Sequence, residues 1–152
     1  MRNLEFKEET VADCWDEFPE LGRLHREEVR GADDDSWPSQ DWYIARNEDE
    51  DLKLFTARSN GVLVGYCVMM MGGDVKRSEE LCATQDVLFL HADHRAGLAG
   101  VRFIKYVENQ MAEAGVGWLY QSATPGNNFG KILERIGYSQ STITYAKNLQ
   151  GE

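Results

Sequence analysis

Cysteine is scarce in this chain. Cys14, Cys67 and Cys82 are the only three, and no two stand in a Cys-x-x-Cys spacing. A sparse, odd set of thiols excludes a disulfide framework and fits reduced thiols in a cytoplasm. Histidine is equally rare, with three residues and no paired spacing, so no metal site is expected. No apolar run approaches the ~18 residues that cross a bilayer, and the opening MRNLEFKEE lacks the apolar core of a signal peptide. A cytoplasmic protein with no membrane partner is the expectation. Repeats, low-complexity stretches and linkers are absent too, so residues 1–152 read as a single domain. A chain of this length buries roughly 70% of its unfolded surface, enough for a real core.

Basic charge is also short. The net charge is −10, and it is unevenly spread. Residues 1–51 carry a net −11 and residues 52–152 a net +1. A broad basic face for nucleic acid is thereby excluded, and no nucleic-acid partner is expected. The Asp33-Asp34-Asp35 run reads as a solvated charge cluster in a loop rather than as a metal site.

What is present is an alternation of strand and helix signals. Residues 3–8 suggest a first strand. Thr10 caps a helix running to about Val29, with Pro19 marking a break or a fresh start near its middle. Ser39 caps a short helix over 40–48 bearing Trp42, Tyr43 and Ile44, aromatics that fit a core face or a substrate cleft. Leu52–Arg58 and Val62–Met71 are two strands joined through Asn60-Gly61, a strong hairpin signal. Met69, Met70 and Met71 read as core filling. Residues 74–82 are a polar connection without clear shape.

Ala83–Leu90 is the central strand. A glycine loop (Arg95, Ala96, Gly97, Leu98, Ala99, Gly100) follows, and an amphipathic helix begins at once, its stripe formed by Phe103, Ile104, Val107, Met111 and Ala114. Gly115 ends it. Residues 117–122 form a strand and 128–136 a helix closed by Gly137, and 140–148 read as a last strand. A strand feeding a helix through glycines aims backbone N–H groups at an anion, although such turns also occur with no ligand. The loop has no Lys-Ser/Thr for a nucleotide and its magnesium, and it does not fit Gly-x-Gly-x-x-Gly.

The loop resembles that of the GNAT (GCN5-related) N-acetyltransferases, whose pattern is Arg/Gln-x-x-Gly-x-Gly/Ala. Arg95 and Gly100 match its two ends; Leu98 stands where the inner glycine is usual, and Gly97 lies one place early. Asn127 and Asn128 ahead of a helix that ends in Gly137-Tyr138 match a second recurrent feature, and Gly61 to Tyr66 looks like the family's central hairpin. The likeness spans nearly the whole chain and is similar above all to small stand-alone bacteriophage members, which would place it in a host cytoplasm.

The resemblance implies a mixed α/β sandwich. A mostly antiparallel sheet of about six strands would contain a splayed parallel pair, with helices on both faces. It implies acetyl-CoA as cosubstrate and direct transfer of the acetyl group to an amine in a ternary complex. Backbone N–H groups of Ala96, Gly97, Leu98, Ala99, Gly100 and Val101 would hold the pyrophosphate, with Arg95 adding positive charge. The edge formed by Leu88, Phe89 and Leu90 would hold the pantetheine and supply an oxyanion donor. Asn127 or Asn128 would be the family's cofactor-contacting asparagine.

Two roles depart from the family's pattern. Thr84 aligns with the usual glutamate base, so Asp86, two residues on, is the candidate base. Strand alternation puts it on one face with Thr84, Leu88 and Leu90. Its plainer reading is a cap or ion-pair partner in the sheet. His91 and His94 are second candidates. Leu133 stands where the usual acid is a tyrosine; Tyr120 or Tyr145 remain alternatives, and Tyr138 reads as core.

These departures leave a second function open, a GNAT-fold protein that binds an acyl-CoA or a partner without catalysis. A third, an acidic mimic of nucleic acid, has only the charge of residues 1–51 in its favour. The family's N-terminal helices wall the acceptor side. Acids there, such as Glu27, Glu28 and Asp41, point to a cationic acceptor: a polyamine, an amino sugar or a protein lysine. The edge beyond the last strand is one that a second subunit can cover, making a homodimer.

Overall fold

Asn60 and Gly61 both take positive φ, 51° and 82°, and fold the chain back on itself between β2 (Leu52–Ser59) and β3 (Val62–Asp74). This turn matches the right-handed twist of the strands it joins. Around that hairpin grows one sheet, in the order β1 (Leu4–Glu9), β2, β3, β4 (Arg77–Leu90), β5 (Trp118–Tyr120). The first four are antiparallel neighbours, and β5 joins β4 in parallel. The computed structural model describes residues 3–30, 39–74, 77–126 and 128–151. They divide into two units, Met1–Ser122 and Ala123–Glu152. The expected loop at 31–35 lies outside the described residues.

Each face of the sheet has its own core. On one face Leu52, Leu54, Tyr66, Val68 and Phe89 pack against Val11, Cys14, Phe18, Leu21 and Tyr43. On the other, Phe55, Ala57, Cys67, Met69, Ala83 and Leu90 meet α4 (Ala99–Glu113) through Ala99, Phe103, Val107 and Met111. Burying side chains such as Phe103 and Val107 stabilises the fold by roughly 1.5–3 kcal/mol each. Ala114, expected on the α4 stripe, is an exposed C-terminal cap.

The expected helix from Thr10 to Val29 is three pieces. Thr10 caps α1 (Val11–Cys14), a 3-10 turn covers Trp15–Glu17, and α2 runs from Phe18 to Arg30. Pro19 sits in the first turn of α2, where a missing N–H costs no helical bond. Ser39 caps α3 (Gln40–Glu48) by accepting from the Trp42 N–H, as its sequence predicts. The polar stretch before Ala83 is strand, since β4 begins at Arg77 and pairs with the lengthened end of β3.

The second unit holds α5 (Phe129–Arg135), with Leu133 buried. Gly137 at φ 106° lets the Tyr138 N–H return to the Leu133 carbonyl at 3.0 Å. The strand expected over 140–148 is not formed. Its alternation is real, but Ile143 and Tyr145 are exposed and no strand pairs with it among the described residues. Propensity makes a strand only where a ladder partner and a face to cover exist. Among the described residues the sheet has five strands, close to the six or so expected.

A charged cluster ties α1 and its 3-10 turn to the sheet. Arg58, nearly buried, donates to Glu9 at 2.8 and 3.1 Å and to Glu17 at 2.8 Å. Thr56 and Cys14 also donate to Glu9. Burial alone raises the Glu9 carboxyl, but the bonds from Arg58, Thr56 and Cys14 outweigh it and hold the group at about 2. Burial, then the Glu9 carboxylate, pushes the Cys14 thiol up to about 12. Because Glu9 is lowered from 4.5, its contribution is complete above that value and is lost as the pH falls toward 2. Arg58→Met leaves Glu9 and Glu17 without their cation. It is expected to cost about 3 kcal/mol in urea unfolding at pH 7 and to flatten the loss of stability between pH 4.5 and 2. An unchanged midpoint and acid slope would contradict this account of the cluster.

Candidate functional site

The site grows from a strand that loses its neighbour. β4 pairs with β5 at only three positions, Cys82 with Trp118, Ala83 with Leu119 and Thr84 with Tyr120. Beyond them Gln85 bridges the parting strands, its Oε1 accepting from the Ser122 N–H at 3.1 Å. Residues 86–90 have β3 on one side and no strand on the other among the described residues. Their outward N–H and C=O groups need partners from elsewhere. Leu88, Phe89 and Leu90 make up this open edge.

Gly65 supports the edge from behind. A Cβ there would come within 2.8 Å of the Phe89 carbonyl oxygen and 2.9 Å of Leu90 Cδ1. Only glycine lets β3 and β4 approach so closely at the point where the second edge opens.

The loop then delivers the chain into α4. Gly97 takes φ 65°, the left-handed conformation that glycine adopts freely. Leu98 follows at φ −101°, which any residue accepts, and its side chain is 65% exposed. The glycine needed by this turn is therefore Gly97, and the place usual for the inner glycine tolerates leucine. The first helical bond runs from the Arg102 N–H to the Leu98 carbonyl at 2.8 Å. The N–H groups of Ala99, Gly100 and Val101 thus stand in the first turn, where the helix supplies no acceptor. Beside Gly100 a Cβ would meet nothing within 4 Å.

Arg95 is already engaged. Its Nε donates to the Leu90 carbonyl at 2.5 Å, and Nη1 and Nη2 grip the two oxygens of Glu28 at 2.5 and 2.6 Å. Its guanidinium lies 5.3 Å from the centre of the Phe89 ring. The Arg95 hydrogen bonds hold the Glu28 carboxyl below its ordinary value. His25, three residues before Glu28 on α2, stacks on Phe89 at 4.8 Å and meets the Tyr66 hydroxyl at 2.8 Å. α2 therefore touches both the open strand and the root of the loop. Glu27 pairs with Arg23, while Asp41 is exposed in the first turn of α3.

Asp86 shares the face of Thr84, as alternation predicts, but not the face of Leu88 and Leu90. Val68 pairs with Val87 and Met69 with Gln85, so Asp86 is an extra residue in a β-bulge. The bulge resets the alternation. Thr84, opposite Met70, and Val87, opposite Val68, share the face that α1–α3 cover, whereas Leu88 and Leu90 face α4. Asp86 points with the first set: the Tyr43 hydroxyl donates to its Oδ2. Burial, then the bond to Asp86, raises the Tyr43 phenol far above its ordinary range. Sequence reading offered Tyr43 only as a core or cleft aromatic. A bulge leaves no mark in one sequence, and the pairing of positions 43 and 86 could not be read from it.

His91 is half-exposed and caps the turn Ala92–His94 by accepting from the Asp93 N–H. The rings of His91 and His94 lie 6.1 Å apart, and His94 Nδ1 is buried. Asn128 precedes α5 in the second unit without a side-chain capping bond, and Asn127 lies outside the described residues. Tyr145 is 88% exposed in the same unit. No group of three or more His, Cys, Asp or Glu suited to a metal occurs among the described residues. Nor is any of their helices long and apolar enough to cross a membrane.

No family model matches the sequence, and no curated protein matches it. Solved structures match it in shape. A GCN5-related N-acetyltransferase from Ralstonia eutropha JMP134 superposes with a TM-score of 0.75 at 19% identity, over 98% of this chain and 100% of that one. An aminoglycoside acetyltransferase from an uncultured soil metagenomic sample, in complex with sisomicin, gives 0.76 at 15% identity over 96% of each chain. A ribosomal-protein-alanine N-acetyltransferase from Brucella melitensis biovar Abortus 2308 gives 0.72 at 18%, over 97% and 99%. The antiparallel sheet, its parting parallel pair and the glycine turn into α4 are together the fold of the GCN5-related N-acetyltransferases.

Proposed function

We propose that the protein transfers an acetyl group from acetyl-CoA to an amine. One observation carries the reading: the open edge of β4 leads, through the short turn Ala92–His94, to a glycine turn and an uncapped helix start. The residues fit such a cosubstrate. The first turn of α4 offers free N–H groups and the positive end of a fifteen-residue helix, and the space beside Gly100 is empty. The edge at Leu88, Phe89 and Leu90 offers the polar groups that a pantetheine amide chain can pair with. When bound, acetyl-CoA supplies the activated acyl carbon and its thiolate leaving group.

This chain's own residues do the rest. Ala99, Gly100 and Val101 hold the pyrophosphate through their N–H groups. Arg95, neutralised by Glu28, shapes the loop more than it adds charge. A β4 N–H among Leu88 to Leu90 stabilises the oxyanion. Asp86 takes a proton from the acceptor ammonium, freeing the lone pair that forms the new N–C bond as the C–S bond breaks. His91 is the second candidate for that proton. Leu133, at the place of the family's usual tyrosine, favours one other reading: binding of an acyl-CoA without turnover.

The acceptor is a cation, a polyamine, an amino sugar or a protein lysine. This rests on the net −11 of residues 1–51, which include α1, α2 and α3, against +1 for the remainder. Such a field concentrates and steers cations.

Gly100→Val is expected to keep the fold, since a Cβ there meets no atom within 4 Å, yet to abolish CoA binding by filling the anion's space. Calorimetry with CoA on the folded variant checks this; unchanged affinity would remove the loop from the site. The acceptor class is read from salt. Steering weakens as the Debye length shrinks below its ~10 Å at 0.1 M, so kcat/KM for the true acceptor should fall as salt rises. A screen in which only neutral or anionic amines react, at salt-independent rates, would return the acidic half to a role in solubility.

A further inference from the structure

We infer that Tyr43 is the positioning residue of Asp86, holding one carboxylate oxygen and leaving the other for the acceptor amine. The inference rests on the acetyltransferase reading and adds to it a residue and an oxygen atom.

Three observations carry it. The first is the bulge. Thr84 and Val87, three residues apart, both face α1–α3, and the extra residue between them lets Asp86 join that face while Leu88 and Leu90 turn toward α4. The second is how firmly Tyr43 is held. It is 9% exposed, and its ring meets Trp15 edge-on at 6.2 Å and Trp42 at 5.6 Å. The phenol so held donates its O–H to Asp86 Oδ2. The third is asymmetry at the carboxylate. Asp86 itself is exposed, so with Oδ2 occupied the oxygen left for an incoming ammonium is Oδ1.

The proton balance is simple. The ammonium R–NH3+ gives one proton to Oδ1 and becomes R–NH2, and Asp86 becomes a neutral acid. Tyr43 keeps its own proton throughout, because burial and the carboxylate raise its phenol. It is thus a donor that orients the base without exchanging with it. Holding a catalytic group in one geometry, where a displacement of ~1 Å can cost a hundredfold in rate, is the work such a partner does.

The test is a cycle of Tyr43→Phe, Asp86→Ala and the double variant. Phenylalanine keeps the ring packed against Trp15 and Trp42 and removes only the hydroxyl. Tyr43→Phe should lower kcat about tenfold with KM for acetyl-CoA unchanged, and Asp86→Ala about a hundredfold. The double variant should be no slower than Asp86→Ala, since Tyr43 then has nothing to orient. A second readout needs no turnover. Tyr43→Phe should lower the urea midpoint in the wild-type background and not in Asp86→Ala. Full activity in Tyr43→Phe, or an equal further loss in the Asp86→Ala background, would overturn the inference while leaving the acetyltransferase reading intact. A wild-type protein that acetylates no amine would instead bring down that reading, and the inference with it.

Discussion

The hydrogen-bonding demand of β4 is the constraint on which the rest of the molecule depends. A strand inside a sheet has its main-chain groups matched on both sides. β4 has this only as far as Thr84, after which β5 leaves and Gln85 alone reaches across. Everything nearby accommodates that opening. Gly65 lets β3 press close behind it, the bulge at Asp86 turns the strand, and Arg95 folds back to take the Leu90 carbonyl. The open edge then leads to the start of α4, whose first N–H groups have no side-chain cap.

The two sides of the sheet divide the work between them. α4 packs on one face through Phe103, Val107 and Met111, and that burial fixes where its first turn lies. α1, α2 and α3 pack on the other face and bring Tyr43, His25 and Glu28 to the strand. α2 contacts Phe89 through His25 and Arg95 through Glu28, two residues one turn apart on the same helix face. The acidic N-terminal segment therefore supports the loop as well as carrying the charge. Arg58 with Glu9 and Glu17 anchors this layer to the β2–β3 hairpin.

Much of the fold was legible because its signals are local. Asn60-Gly61 gives the hairpin, Ser39 the start of α3 and the apolar spacing from Phe103 to Met111 the packing of α4. The glycine turn was legible as well, although φ 65° shows that Gly97, rather than the place of Leu98, meets its conformational need. Features that depend on distant partners were not. Residues 140–148 alternate like a strand but have no ladder partner among the described residues. The bulge puts Asp86 out of phase with Leu88 and Leu90 without any residue that announces it. Tyr43 and Asp86, and Glu28 and Arg95, are 43 and 67 residues apart in sequence, and only folding makes them neighbours.

The central claim is that the open β4 edge and the start of α4 form one cradle for a pyrophosphate-bearing cosubstrate. Native mass spectrometry of the purified protein titrated with acetyl-CoA tests it most directly. The account predicts one acetyl-CoA per chain, displaced by CoA and not by an acetylated thiol lacking the nucleotide. A chain that takes up no acetyl-CoA, or binds the small thioester equally well, would contradict it.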